Sequence, residues 1–100
     1  MENRLLLHEE LLEFLANVYF QPPSDLVMKY PCIVYTKAGK DITRANNHIY
    51  NSIQEYQLTI MDYNPDNDLT DRILNHFEYS TPGSTFVVNR LNHSTIKLYY

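Results

Sequence analysis

Three features of this 100-residue sequence predict an α+β fold: a small antiparallel or mixed β-sheet packed by an N-terminal helix and a second short helix. Leucines recur at helical spacing over residues 3–18. Tyr56, Leu58 and Ile60 alternate with Gln57, Thr59 and Met61, the pattern of a half-buried strand. Two more strand-like runs close the chain. The implied order is α-β-β-β-α-β-β within one domain, residues 1–100. A chain of this length buries roughly 60–65% of the surface its unfolded form exposes, enough for one modest core.

The first helix is predicted over 3–18, with Asn3 able to cap it. Leu7, Leu11, Leu15 and Val18 form its apolar stripe, and Leu5, Leu12 and Phe14 widen it. Pro22 and Pro23 then end the helical pattern. After an apolar connector, Cys32–Thr36 reads as a strand behind Pro31, and residues 37–40 read as a turn. Asp41–Tyr50 is polar and Asn-rich, which suggests a loop or short strand anchored by Ile42, Ile49 and Tyr50. The strand through Tyr56–Met61 runs into the turn Asp62–Asp68, whose Asp66 or Asp68 is placed to cap a helix striped by Leu69, Ile73, Leu74 and Phe77. Pro82 and Gly83 mark a turn, Thr85–Leu91 a strand, Asn92-His93 a tight connection, and Thr95–Tyr100 a closing strand.

A formal charge of −4 argues against a surface built to neutralise nucleic-acid phosphates. The apolar runs are too short to span a membrane, and the first residues do not resemble a secretory signal. Cys32 stands alone, so no disulfide framework forms within the chain; it reads as a small buried apolar residue. These features predict a soluble protein made in a cytoplasm. Nine of the thirteen aromatic residues are tyrosines, which suit both strands and interfaces.

Motifs for chemistry are weak. His8-Glu9 begins an H-E-x-x-H pattern, but Leu12 occupies the second histidine position. Asp62, Asn64, Asp66 and Asp68 match positions 1, 3, 5 and 7 of a calcium loop, yet Asn67 replaces the glycine at position 6 and Ile73 the glutamate at position 12. No Ser/His/Asp spacing singles out a triad and no Gly-rich phosphate loop occurs, so no catalytic residue, metal or cofactor is assigned. Lys37, Lys40 and Arg44 concentrate positive charge in an acidic chain and are candidates for contact with an acidic partner.

Taken together, the leading amphipathic helix, Tyr30–Tyr35 (YPCIVY), Tyr56–Asp62 (YQLTIMD) with Pro65-Asp66, and Leu91-Asn92-His93 with Leu98-Tyr99-Tyr100 resemble, in order and spacing, the small tail terminator or tail-completion proteins of long-tailed bacteriophages. The resemblance implies a non-enzymatic subunit that assembles as a homo-hexameric ring on the head-proximal end of the tail tube. Such a ring ends tube polymerisation and offers a docking face to the head connector, while DNA passes through the lumen without specific binding. It would be assembled in the host cytoplasm and reside in the tail or neck of the virion. Asn89, Arg90 and Ser94 stand where the family's hairpin is often more acidic. Tyr30, Lys37, Lys40, Arg44 and Tyr63 are the expected subunit or tube contacts. Other readings are a head-completion or connector-side neck adaptor, a small regulatory binding domain that uses the Lys37–Arg44 stretch, and a small cation-dependent or acid/base enzyme that uses the Asp62–Asp68 turn.

Overall fold

The computed structural model describes the backbone of residues 3–45 and 48–100, and the side chains of 4–38 and 54–100. The order is α-β-β-β-α-β-β: α1 (Asn3–Leu12), β1 (Val18–Phe20), β2 (Cys32–Ala45), β3 (His48–Asp62), α2 (Leu69–His76), β4 (Ser80–Val88) and β5 (Leu91–Tyr99). The five strands form one mixed sheet in the order β1-β2-β3-β5-β4, with β1 parallel to β2 and the other pairs antiparallel. None of the described helices is long and apolar enough to cross a membrane.

The strand alternation places the core. Ile33 pairs with Ile60, Tyr35 with Leu58, and Tyr56 with Leu98, so their side chains share one face. That face meets Leu7 and Leu11 of α1 and Leu69 and Ile73 of α2 in one cluster, which Ile96 and Phe77 complete. Each such side chain, fully buried, contributes about 1.5–3 kcal/mol through the hydrophobic effect. Both helices therefore cover the same side of the sheet.

Several expected boundaries are corrected. The first helix ends at Leu12, not Val18, because Asn17 and the residues after it join the sheet. The Asn17 carbonyl accepts the Ile33 amide at 2.9 Å, and its side-chain amide donates to the Pro31 carbonyl at 3.2 Å. Val18–Phe20, placed by period in the helix and connector, is thus an edge strand. The Asn3 side chain, the expected cap, lies outside the described residues.

The turn expected at 37–40 is instead strand, and of the loop or short strand expected at 41–50 the described residues 41–45 and 48–50 belong to two long strands. β2 and β3 pair from Cys32↔Met61 out to Ala45↔His48, with irregularities at Lys37/Gly39 and Thr43/Arg44. Beyond Glu55, where the described pairing of β3 to β5 stops, they form a two-stranded ribbon that extends the molecule to 51 Å in its longest dimension.

The closing hairpin also differs. Its turn is Asn89-Arg90, both at positive φ (51° and 67°), between the paired residues Val88 and Leu91. Two left-handed residues in a two-residue loop match the right-handed twist of the strands they join. Asn92 and His93, expected as the turn, lie within β5. There Asn92 donates to the Asp62 and Tyr63 carbonyls at 3.1 and 3.3 Å. The segment around Pro82-Gly83, also expected as a turn, is a bulge within β4.

Candidate interface surfaces

The Asp62–Asp68 turn is held by its own side chains. Asp62 Oδ1 accepts the Asn64 amide at 3.1 Å, Asn64 Oδ1 accepts the Asp66 amide at 3.0 Å, and the Asn67 side-chain amide donates to Asp62 Oδ2. The oxygens at the first calcium-loop positions are therefore engaged by N–H donors. Asp68 occupies the N-cap position of α2 without a side-chain bond; Asn67 Oδ1 instead accepts the Leu69 amide at 2.7 Å. This corrects the capping residue.

Folding the turn this way brings together two residues picked from the sequence. The rings of Tyr30 and Tyr63 meet edge-to-face with centroids 5.6 Å apart, and Tyr63 remains 59% exposed. Beside them a groove of about 320 Å³ is lined by Pro65, Phe86, Val87, Asn92 and His93 among others. Phe86 stacks on His93 at 4.7 Å, while His93 Nδ1 donates to the Leu91 carbonyl at 3.0 Å and so holds its ring in place.

Phe86, Val87 and Val88 are exposed in succession on β4, a sheet-edge strand. Edge strands offer main-chain donors and acceptors to a partner, and natural ones commonly carry lysines or other blocking charges. Ser80–Val88 has no charged residue. The sequence reading missed this apolar edge, although the run Phe86-Val87-Val88 was its visible signal.

The other three picked residues stand at the opposite end. Lys37 is exposed, and its amide donates to Gln21 Oε1 at 3.1 Å. Lys40 and Arg44 belong to the ribbon; their backbone pairs with Gln54 and Ile49, and their side chains lie outside the described residues. Within β3 the ribbon precedes Glu55 and the turn follows Asp62, so the two sets of residues flank the sheet from its two ends.

Two further polar groups join the helices to the sheet. Glu10 of α1 accepts hydrogen bonds from the Tyr100 hydroxyl and from His76 Nε2 of α2, the latter at 3.2 Å. Burial, then the bond to Glu10 and its charge, push the Tyr100 phenol up to about 12. His8 Nδ1 lies 2.6 Å from the buried Tyr35 hydroxyl. Burial, then the Arg4 charge, depress the His8 pKa. Arg4 itself lies over Phe20, 4.4 Å from the ring centroid. Both groups pin α1 and sit at large sequence separations, which is why no local motif announced them.

Cys32 is fully buried and its thiol is pushed up to about 11 by desolvation, which makes the reactive thiolate rare near neutral pH. Among the described residues, no group of three or more His, Cys, Asp or Glu side chains is arranged to hold a metal ion. Comparison with protein-family models gave no match, and neither curated proteins nor solved structures gave one.

Proposed function

We propose that the protein is a non-enzymatic structural subunit that forms a ring, six-fold in the family it resembles, on the head-proximal end of a phage tail tube. There it ends tube growth and presents a docking face to the head connector. One observation carries the reading: the domain bears two chemically different candidate contact surfaces at opposite ends of one sheet. One end carries exposed Tyr63, with half-buried Tyr30 against it, and the exposed Phe86–Val88 edge, and the cation-bearing ribbon stands at the other. A ring closed by rotation needs such unlike faces, because each subunit meets its neighbours through two different patches. The acidic net charge agrees with a lumen that lets DNA slide past without gripping it.

The test is to mix purified protein with isolated tail tubes, measure particle mass and image the tube ends. Rings capping one end of the tube are expected. A chain that stays monomeric at all concentrations and never decorates tube ends overturns the proposal; density on the connector side of virions would move it to a neck adaptor.

A further inference from the structure

We propose that the ring contact is made by the β2–β3 ribbon of one copy seated in the groove between the Asp62–Asp68 turn and β4 of the next copy. The inference rests on the ring reading above and adds the surfaces that meet.

The first argument is geometric. The ribbon leaves the sheet at the Glu55–Tyr99 pair, whereas the groove lies at the Asp62–Asn92 pair, at the far end of the same two strands. Residues 39–45 alone span about 23 Å at the usual rise of a strand. A ribbon directed away from its own groove cannot fill it, but a second copy supplies both halves of the contact.

Charge is the second argument. Residues 37–53 carry three cations, Lys37, Lys40 and Arg44, against one acid, Asp41. Asp62, Asp66 and Asp68 belong to the turn whose Pro65 lines the groove, with Asp71 and Arg72 following on α2, in a chain whose net charge is −4. Opposite charge brings ribbon and turn together and disfavours ribbon-to-ribbon and turn-to-turn contacts, which fixes a head-to-tail polarity.

The third argument is stability and burial. A two-stranded hairpin standing alone in water is marginal. The groove beside the turn presents exposed Phe86 and Val87, with the Tyr30–Tyr63 pair next to it. Aromatic side chains of this kind are common anchors at the centres of protein interfaces.

The experiment uses two charge-reversed chains, K37E/K40E/R44E and D66K/D68K; Lys37, Asp66 and Asp68 lie outside the core cluster. Native mass spectrometry and light scattering read assembly, and circular dichroism reads the fold. Each variant alone is expected to assemble about tenfold more weakly than the wild type or worse. Their equimolar mixture is expected to recover assembly, because the acidic ribbon of the first then meets the basic turn of the second. A milder pair, K40Q/R44Q and D66N/D68N, replaces any variant that fails to fold and is expected to weaken assembly in the same direction. If the wild type forms rings and the variants form them equally well, the ribbon contact is overturned while the ring reading stands. A wild type that never assembles, alone or on tubes, removes both.

Discussion

Replacing Gly83 by alanine tests how the edge of the sheet is built. A methyl group at this position would sit 2.3 Å from Thr95 Oγ1 and 3.0 Å from the Thr95 carbonyl oxygen. Thr95 Oγ1 in turn accepts the Ser84 amide at 2.7 Å and donates to the Ser84 carbonyl at 3.1 Å, which pins the bulge between Pro82 and Thr85. Alanine must displace the threonine hydroxyl and lose at least one of those bonds. Overpacking costs about 1–3 kcal/mol and a lost hydrogen bond about 1 kcal/mol, so Gly83→Ala is expected to destabilise by about 2–4 kcal/mol. With a urea m value of about 1–2 kcal/mol/M, the unfolding midpoint should fall by about 1–4 M, read by circular dichroism. The decisive measurement is the same change in a Thr95→Ala background. There the hydroxyl is absent, only the contacts with the residue-95 carbonyl and Cβ, at 3.0 and 3.2 Å, persist, and the cost should drop to about 1 kcal/mol. An equal cost in both backgrounds, or none in either, would refute the assignment of Gly83 to close packing against Thr95.

Arg90 holds a left-handed conformation that costs a side-chain-bearing residue about 1–2 kcal/mol, and Asn-Gly is the favoured pair for such a turn. Arg90→Gly should therefore raise stability by about 0.5–1 kcal/mol, seen as a higher melting temperature. Asn67→Ala removes the acceptor for the Leu69 amide and the donor to Asp62, and should cost about 1–2 kcal/mol in urea unfolding. For pH, the folded Tyr100 phenol is raised from 10.0 to about 12, so the fold favours its neutral form. That contribution is intact below pH 10 and is lost as pH rises through 12; Tyr100→Phe should flatten this part of an alkaline stability profile. Cys32, raised from 9.0 to about 11, acts with the same sign from a lower pH and persists in that variant.

The core was legible because its residues follow strict periods: Tyr56, Leu58 and Ile60 on a strand, and Leu69 and Ile73 on a helix, are all buried as their spacing implies. Helix α1 shows where period misleads. Leu15 and Val18 continue the leucine stripe, but bonds from Asn17 to Ile33 and Pro31 draw the chain into the sheet, and no local pattern reports those partners. At the closing hairpin, Asn92-His93 has the more usual turn composition. Leu91, however, is only 8% exposed, and Asn92 is needed by the Asp62 turn, so the reversal falls on Asn89-Arg90 despite the strain at arginine. Of the residues picked for contact, Tyr30 and Tyr63 lie 33 positions apart in sequence and share no motif, so their meeting was invisible before folding. The charge of Lys37, Lys40 and Arg44 was plain, but the polar run Asp41–Tyr50 masked the length of the strands that carry it.

Because β2 and β3 continue past the edge of the core, the length of the protrusion is uncoupled from the packing of the domain. Inserting two residues into each strand beyond Lys40 and Gln54 would extend it by about 7 Å while leaving the alternation of faces unchanged. None of the core residues among the described side chains, from Leu7 to Leu98, would have to move in register. The reach of the protrusion is thus set by the lengths of β2 and β3 alone, without repacking the sheet.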